Sequence, residues 1–112
     1  MLKLEVTTDA ARMDFGLVYR FLSEQSGWAQ GLPHDLFIRA MGNSLCFAGC
    51  LAGEQIAFAR VISDFATFAN LVDVFVVPDL RGNGYASQLL EAVFAHPDLQ
   101  GLRRFSLATS NA

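Results

Sequence analysis

Lysine is nearly absent from this chain of 112 residues, because Lys3 is its single lysine. Eight basic residues against eleven acidic ones leave a formal net charge of −3. This charge provides no basic field for nucleic acid, so we expect no nucleic-acid partner. The shortage of lysine also excludes a Walker phosphate loop, which needs Gly-Lys followed by Ser or Thr.

Long apolar runs and cysteines are scarce as well. No apolar run is long enough to cross a bilayer and no N-terminal signal pattern occurs, so we expect no membrane partner. Cys46 and Cys50 are the two cysteines, four positions apart in a stretch that reads as a strand. Strand alternation places both on one face, too far apart for an easy disulfide. We expect buried thiols in a reducing cytoplasm, and no metal site built on them.

Apolar residues are abundant, at 53% of the chain with ten phenylalanines, which predicts one globular domain over residues 1–112. Periodicity predicts a short strand over 2–6, then helices over 11–25 and 33–41. Gly27 would cap the first helix, and Trp28 after it would be a packing anchor. A hairpin of strands 44–51 and 55–63 would follow, and a third antiparallel strand, 70–77, would complete a meander.

The most informative stretch combines that third strand with a glycine loop and a helix. The strand is almost continuously apolar and ends at Pro78, which has no N–H to donate. In the helix after the loop, Ala86, Leu89, Leu90, Val93 and Phe94 form one apolar stripe, and His96-Pro97 ends it.

The loop between them reads Arg81-Gly82-Asn83-Gly84-Tyr85-Ala86. Backbone N–H groups and a helix dipole at such a loop favour a phosphate. The plainer alternative is a glycine turn that only reverses the chain. A Rossmann dinucleotide site also places Gly-x-Gly here, but its third glycine would fall at Ser87 and no acidic residue follows the next strand.

The pattern Arg81-x-x-Gly84-x-Ala86, directly after a strand ending in Val-x-Pro, resembles the acetyl-CoA signature of the GNAT (Gcn5-related N-acetyltransferase) superfamily. The resemblance covers essentially the whole chain and implies an α/β (α+β) fold. Its mixed sheet would be largely antiparallel, with a β-α-β crossover of the right hand to a last strand over 105–108. The usual C-terminal helix and hairpin of the family would be absent, which gives a C-terminally truncated domain.

For function, the resemblance implies an N-acetyltransferase in which a primary amine attacks the thioester of acetyl-CoA directly. The pantetheine arm would pair with the fourth strand, at Phe75, Val76 and Val77. Backbone N–H groups of the loop would hold the pyrophosphate, namely those of Arg81, Gly82, Asn83, Gly84, Tyr85 and Ala86. The missing C-terminal part would leave the last strand as an exposed edge, which predicts a homodimer.

Candidate catalytic side chains are few. Asp73 is a carboxylate in an otherwise apolar strand, so its burial would raise its pKa and suit a general base. Its alternative is a strand-end residue or a partner of Arg60, which could itself pair with Asp73 or Asp64, or lie in solvent. His34, at a helix start, lies in solvent or contacts a substrate.

Two further functions stay open. One is a non-catalytic GNAT-like domain that binds acyl-CoA or only self-associates. The other is a purely structural interaction protein. Release of free CoA with a panel of amines separates the enzyme from the binding domain, and a structural protein would have no affinity for CoA.

Overall fold

The computed structural model describes residues 2–25 and 30–107. The predicted roles of Gly27 and Trp28, and the predicted strand end at Ala108, lie outside these residues. The described strands are β1 (Glu5–Thr7), β2 (Leu45–Leu51), β3 (Glu54–Ser63), β4 (Phe68–Val76) and β5 (Arg104–Leu107). The described α-helices are α1 (Phe15–Gln25), α2 (His34–Gly42) and α3 (Tyr85–Ala95).

The strands form one sheet in the order β1-β2-β3-β4-β5. The first three pairings are antiparallel and β4 pairs with β5 in parallel. Helix α3 supplies the crossover between these two parallel strands. The predicted fold class, a mixed and largely antiparallel sheet with a β-α-β unit, is therefore confirmed.

The predicted hairpin forms around a two-residue turn. Ala52 and Gly53 both have positive φ angles, 51° and 82°. Two positive φ angles in a two-residue loop match the twist of the flanking strands. This turn sets the first pairs of β2 on β3, Leu51 with Glu54 and Cys50 with Gln55, and the register then shifts by one residue between Cys50 and Gly49.

Both faces of the sheet are covered, which explains why its central strands are apolar on both sides. One buried cluster, which we call the α3-side core, contains Phe47, Val61, Leu89 and Val93. The other, the α1/α2-side core, contains Val18, Leu22, Phe37 and Phe58. Successive strand residues point to opposite faces, so Phe58 of β3 packs in the α1/α2-side core while its neighbours Ala57 and Ala59 belong to the α3-side core.

The first predicted helix is wrong at its start. Residues Ala10–Arg12 form a short 3-10 helix instead, capped by Asp9, whose Oδ1 accepts from the N–H of Ala11 at 3.0 Å. Helix α1 then begins at Phe15, because Asp14 Oδ1 accepts from the N–H of Leu17 at 3.0 Å and caps a new helix. Gln55 fixes this break by accepting the N–H of Asp14 at 2.7 Å.

The predicted apolar stripe of α3 is also displaced. Tyr85, Leu89 and Val93 are the buried residues, at i, i+4 and i+8, whereas Ala86 is exposed and the Phe94 side chain is 45% exposed. The face of the helix that packs against the sheet is therefore the one that carries Tyr85, Leu89 and Val93. In the described part of the chain, no helix is both long and apolar enough to span a membrane.

Candidate functional site

The glycine loop turns the chain from β4 into α3. After a short 3-10 helix at Pro78–Leu80, Gly82 and Gly84 each adopt a φ of 82°. Residues with side chains rarely adopt this left-handed conformation, so glycine suits both positions. Gly84 is the N-cap of α3 and offers no side chain to cap it.

The beginning of α3 presents unpaired donors to this loop. The first turn-closing bond of the helix runs from the N–H of Gln88 to the carbonyl of Gly84 at 3.2 Å. The N–H groups of Tyr85, Ala86 and Ser87 therefore have no partner within the helix. Together with the positive end of the helix dipole, these donors favour an anion at this place.

Asn83 shapes the loop through its side chain. Its Nδ2 donates to the carbonyl of Leu80 at 3.0 Å and lies 3.4 Å from that of Arg81. The N–H of Arg81 in turn donates to the carbonyl of Pro78 at 3.3 Å. These hydrogen bonds stabilise the conformation of the loop backbone. The Asn83 amide contributes by bonding to backbone carbonyls within the loop.

A pocket of about 130 Å³ lies in the curve of the loop. Its lining consists of Val76, Leu80, Arg81, Gly82, Gly84, Tyr85, Ala86 and Ser87. Most of the predicted loop residues are thus brought together with Val76. Ser87 was not predicted, although its place in the first turn of a helix that follows a glycine loop was a sufficient signal. Arg81 is the charged side chain in this lining.

Val76 has an open strand edge. Among described residues, β5 pairs with β4 only from Phe68 to Leu71. The N–H of Val77 donates to the carbonyl of Ile56 on β3 at 2.8 Å. Because a strand's polar groups alternate in direction, the N–H and carbonyl of Val76 then point away from β3. Of residues 75–77, Val76 is the one whose polar groups face the open side.

Phe75 lies on the other face of the sheet, although it was predicted with the same strand segment. Its ring stacks on Phe21 of α1, with centroids 4.0 Å apart and planes 12° apart. Cζ of Arg81 lies 6.0 Å from the centroid of the Phe21 ring. Phe21 was missed by the sequence reasoning, and it connects α1 to the glycine loop.

Asp73 lies in a bulge of β4. Phe58 is opposite Phe75 while Arg60 is opposite Val72, so β4 has one extra residue in this interval. Asp73 adopts a φ of 56°, a conformation that aspartate tolerates better than most residues.

The Asp73 carboxylate forms a buried ion pair. Its Oδ2 accepts from Nε of Arg60 at 2.8 Å, and the side chains of Arg60 and Asp73 are 9% and 1% exposed. Of the arrangements open for Arg60, pairing with Asp73 is the one observed. Nη1 of Arg60 also donates to Oγ of Ser44 at 3.0 Å, and that hydroxyl donates to the carbonyl of Ala40 at 2.7 Å. This chain of contacts joins the bulge to the end of α2.

The remaining candidates lie elsewhere. His34 is exposed at the start of α2, with its ring 4.9 Å from that of Tyr19. Cys46 and Cys50 are buried free thiols, and burial raises the pKa of Cys46 to about 11. Within residues 2–25 and 30–107, no three His, Cys, Asp or Glu side chains group closely enough to hold a metal ion.

Comparison with known proteins gives a consistent family. Residues 15–112 match the sequence model of the acetyltransferase (GNAT) family. A protein of Gibberella zeae that carries the name acetyltransferase is 30% identical over 128 residues, covering 95% of this chain and 71% of its own.

Solved structures agree. A GNAT-family acetyltransferase of Xanthomonas campestris pv. campestris is 58% identical, with a TM-score of 0.94, over 100% of this chain and 79% of that chain. A GNAT-family acetyltransferase of Elizabethkingia anophelis, solved with acetyl-CoA bound, is 12% identical, with a TM-score of 0.63. It matches 84% of this chain and 57% of that chain, which shows a shared fold.

Proposed function

Because this chain belongs to the acetyltransferase (GNAT) family, we propose that it transfers the acetyl group of acetyl-CoA to a primary amine. The observation that carries the proposal is the pocket of the glycine loop beside the open edge of β4 at Val76. An anion site and a strand edge that no described strand covers together fit a ligand with a phosphate and an extended amide chain.

In this proposal the loop and the strand edge share the cofactor. The N–H groups of the glycine loop and the first turn of α3 hold the pyrophosphate. The polar groups of Val76 pair with the pantetheine arm. The acetyl-CoA bound to the Elizabethkingia anophelis acetyltransferase, a protein of the same fold, supports this choice of donor.

The proposed reaction has no acyl-enzyme intermediate. The amine nitrogen attacks the thioester carbonyl, the new C–N bond forms, the C–S bond breaks, and the thiolate that leaves takes up a proton. The protein contributes proximity between the two substrates and a group that accepts the proton of the amine. Asp73 is our proposal for that group.

Acetyl-CoA binding and turnover test the function separately. Titration with acetyl-CoA should shift the backbone amide signals of residues 75–86 in NMR spectra. Incubation with acetyl-CoA and a panel of primary amines should release free thiol. Shifts without thiol release from any amine would favour the non-catalytic binding domain, and no shifts at all would contradict both.

The role of Asp73 is tested by Asp73→Asn, which keeps the size of the side chain and its tolerance of positive φ. A general base contributes about 10²- to 10⁴-fold, so we expect kcat/KM to fall by at least a hundredfold while acetyl-CoA affinity stays constant. Asp64→Asn, the same change in the β3–β4 turn, is the matched control. A loss below tenfold in Asp73→Asn would contradict a role as general base and favour a structural role in the ion pair with Arg60.

We also propose a homodimer through β5 and a cytoplasmic location. β5 is one of the two edge strands of the described sheet, and its Leu107 is 61% exposed. An apolar edge favours pairing with a second copy. Light scattering should give a dimer mass that falls on dilution, and a monomer at high concentration would contradict the proposal. The two buried free thiols suit a reducing compartment.

A further inference from the structure

We propose that Arg81 determines donor specificity, by occupying the Val76 carbonyl until a ligand that carries phosphate draws its guanidinium away. The protein would thereby select a phosphorylated amide chain over the same chain without phosphate. This inference rests on the proposed function, because it concerns the donor side of that site.

The first observation is the position of the Arg81 side chain. Its Nε donates to the carbonyl of Val76 at 3.0 Å. That carbonyl points away from β3, toward the edge of β4. The described part of β5 does not pair with this part of the edge. The guanidinium therefore occupies a backbone acceptor that an extended ligand would need for strand-like pairing.

The second observation is that the same side chain borders the anion pocket. Arg81 is exposed and lines the pocket of the glycine loop together with Val76. The ring of Phe21 lies beneath its guanidinium, with 6.0 Å between Cζ and the ring centroid. An exposed arginine at this place can exchange the carbonyl for an anion in the pocket by side-chain rotation alone.

The energetics of the exchange depend on the ligand. An amide N–H from the ligand replaces the guanidinium on the Val76 carbonyl, and a phosphate replaces the carbonyl as partner of Arg81. Hydrogen bonds between a guanidinium and a phosphate are stronger than those to a neutral carbonyl. A ligand without phosphate must displace the same arginine but offers it no new partner.

The test measures the affinities of two donors, acetyl-CoA and S-acetylpantetheine, by NMR titration of the wild-type protein and of Arg81→Ala. For acetyl-CoA we expect the variant to bind at least about tenfold more weakly, because it loses a charge-assisted contact. For S-acetylpantetheine we expect the variant to bind about three- to tenfold more tightly, since the Val76 carbonyl is free.

Arg103→Ala is the matched control, because it removes the same charge from an exposed arginine at the other end of β4. The N–H of Arg103 donates to the carbonyl of Thr67, nine residues before Val76 and about 30 Å away along the strand. The affinities of the Arg103→Ala variant for both donors should equal those of the wild-type protein.

Affinity changes of opposite sign in Arg81→Ala support the proposal. Weakening of both donors, or an unchanged affinity for S-acetylpantetheine, would overturn it while leaving the acetyltransferase function in place. A wild-type protein that binds neither donor would overturn the proposed function itself.

A second measurement needs no variant. The Nε–H signal of Arg81 should be protected from solvent exchange in the free protein and should shift on saturation with acetyl-CoA, because a phosphate replaces the Val76 carbonyl as its acceptor. An Nε–H signal that acetyl-CoA leaves unchanged would also overturn the proposal.

Discussion

Single glycines determine the shape of the phosphate loop through backbone conformation. A Cβ built on Gly82 would meet no atom within 4 Å, and the same holds for Gly42 at the end of α2. The two positions differ in φ, which is 82° at Gly82 and outside the left-handed region at Gly42. Since neither position would have a steric clash, a pair of alanine variants isolates the effect of conformational strain.

We expect Gly82→Ala to lower the free energy of unfolding by about 1 to 2 kcal/mol, the cost of a left-handed conformation for an L-residue. Gly42→Ala should raise it by about 0.5 to 1 kcal/mol, because alanine favours helix. Urea unfolding measures both. Acetyl-CoA affinity should fall in Gly82→Ala alone, and equal effects of the two variants would contradict a special role of the loop conformation.

The two buried cysteines, Cys46 and Cys50, allow a second prediction about single residues. Burial raises the pKa of Cys46 to about 11, and it raises the pKa of Cys50 as well. At pH 8, roughly one Cys46 in a thousand is then the reactive thiolate. We expect alkylation of the native protein to be at least a hundredfold slower than in denaturant. Rapid alkylation of either cysteine in the native state would contradict its burial.

At the scale of elements, the turn between β3 and β4 is held by one carboxylate. Asp64 Oδ2 accepts from the Thr67 hydroxyl at 2.6 Å, and Oδ1 accepts backbone N–H groups of Ala66, Thr67 and Phe68. The Thr67 hydroxyl, then these N–H groups, hold the pKa of Asp64 well below its usual range. The charged form is therefore the one that stabilises the turn.

A lowered pKa in the folded state adds stability above the unfolded value of about 3.9, and this contribution disappears as pH falls through the folded value. Asp64→Asn should therefore unfold at lower urea concentration than the wild-type protein at pH 7. The two urea midpoints should approach each other as the pH is lowered from 5 to 3. Midpoints that stay equally far apart over that range would contradict the prediction.

Elements were predictable where their signals were local. The apolar runs of β3 and β4 and the glycine loop before α3 are readable from neighbouring residues, and so was the turn at Ala52 and Gly53. The break before α1 was not, because it depends on the bond from Asp14 to Gln55, 41 positions away. The Asp73 bulge likewise depends on Arg60 across the sheet, so the sequence offered that pairing only as one of several.

At the scale of the whole molecule, the sheet separates two cores that share no residue. Val18 belongs to the α1/α2-side core and Val93 to the α3-side core, and both side chains are fully buried. The glycine loop is the start of α3, whereas Phe21 and Phe75 line the α1 side. The candidate site therefore draws on both halves of the molecule, and each half contributes separately to its stability.

Pairs of alanine variants test this separation. Val18→Ala and Val93→Ala should each cost about 2 kcal/mol, from lost burial and the cavity left behind. Because the two sites share no partners, the cost of the double variant should equal the sum within about 0.5 kcal/mol. Val18→Ala with Leu22→Ala is the matched pair within one core. The loss of unfolding free energy in that double variant should differ from the sum of the two single losses. A coupling above about 1 kcal/mol between Val18 and Val93, measured by urea unfolding, would mean that the sheet transmits packing changes from one core to the other.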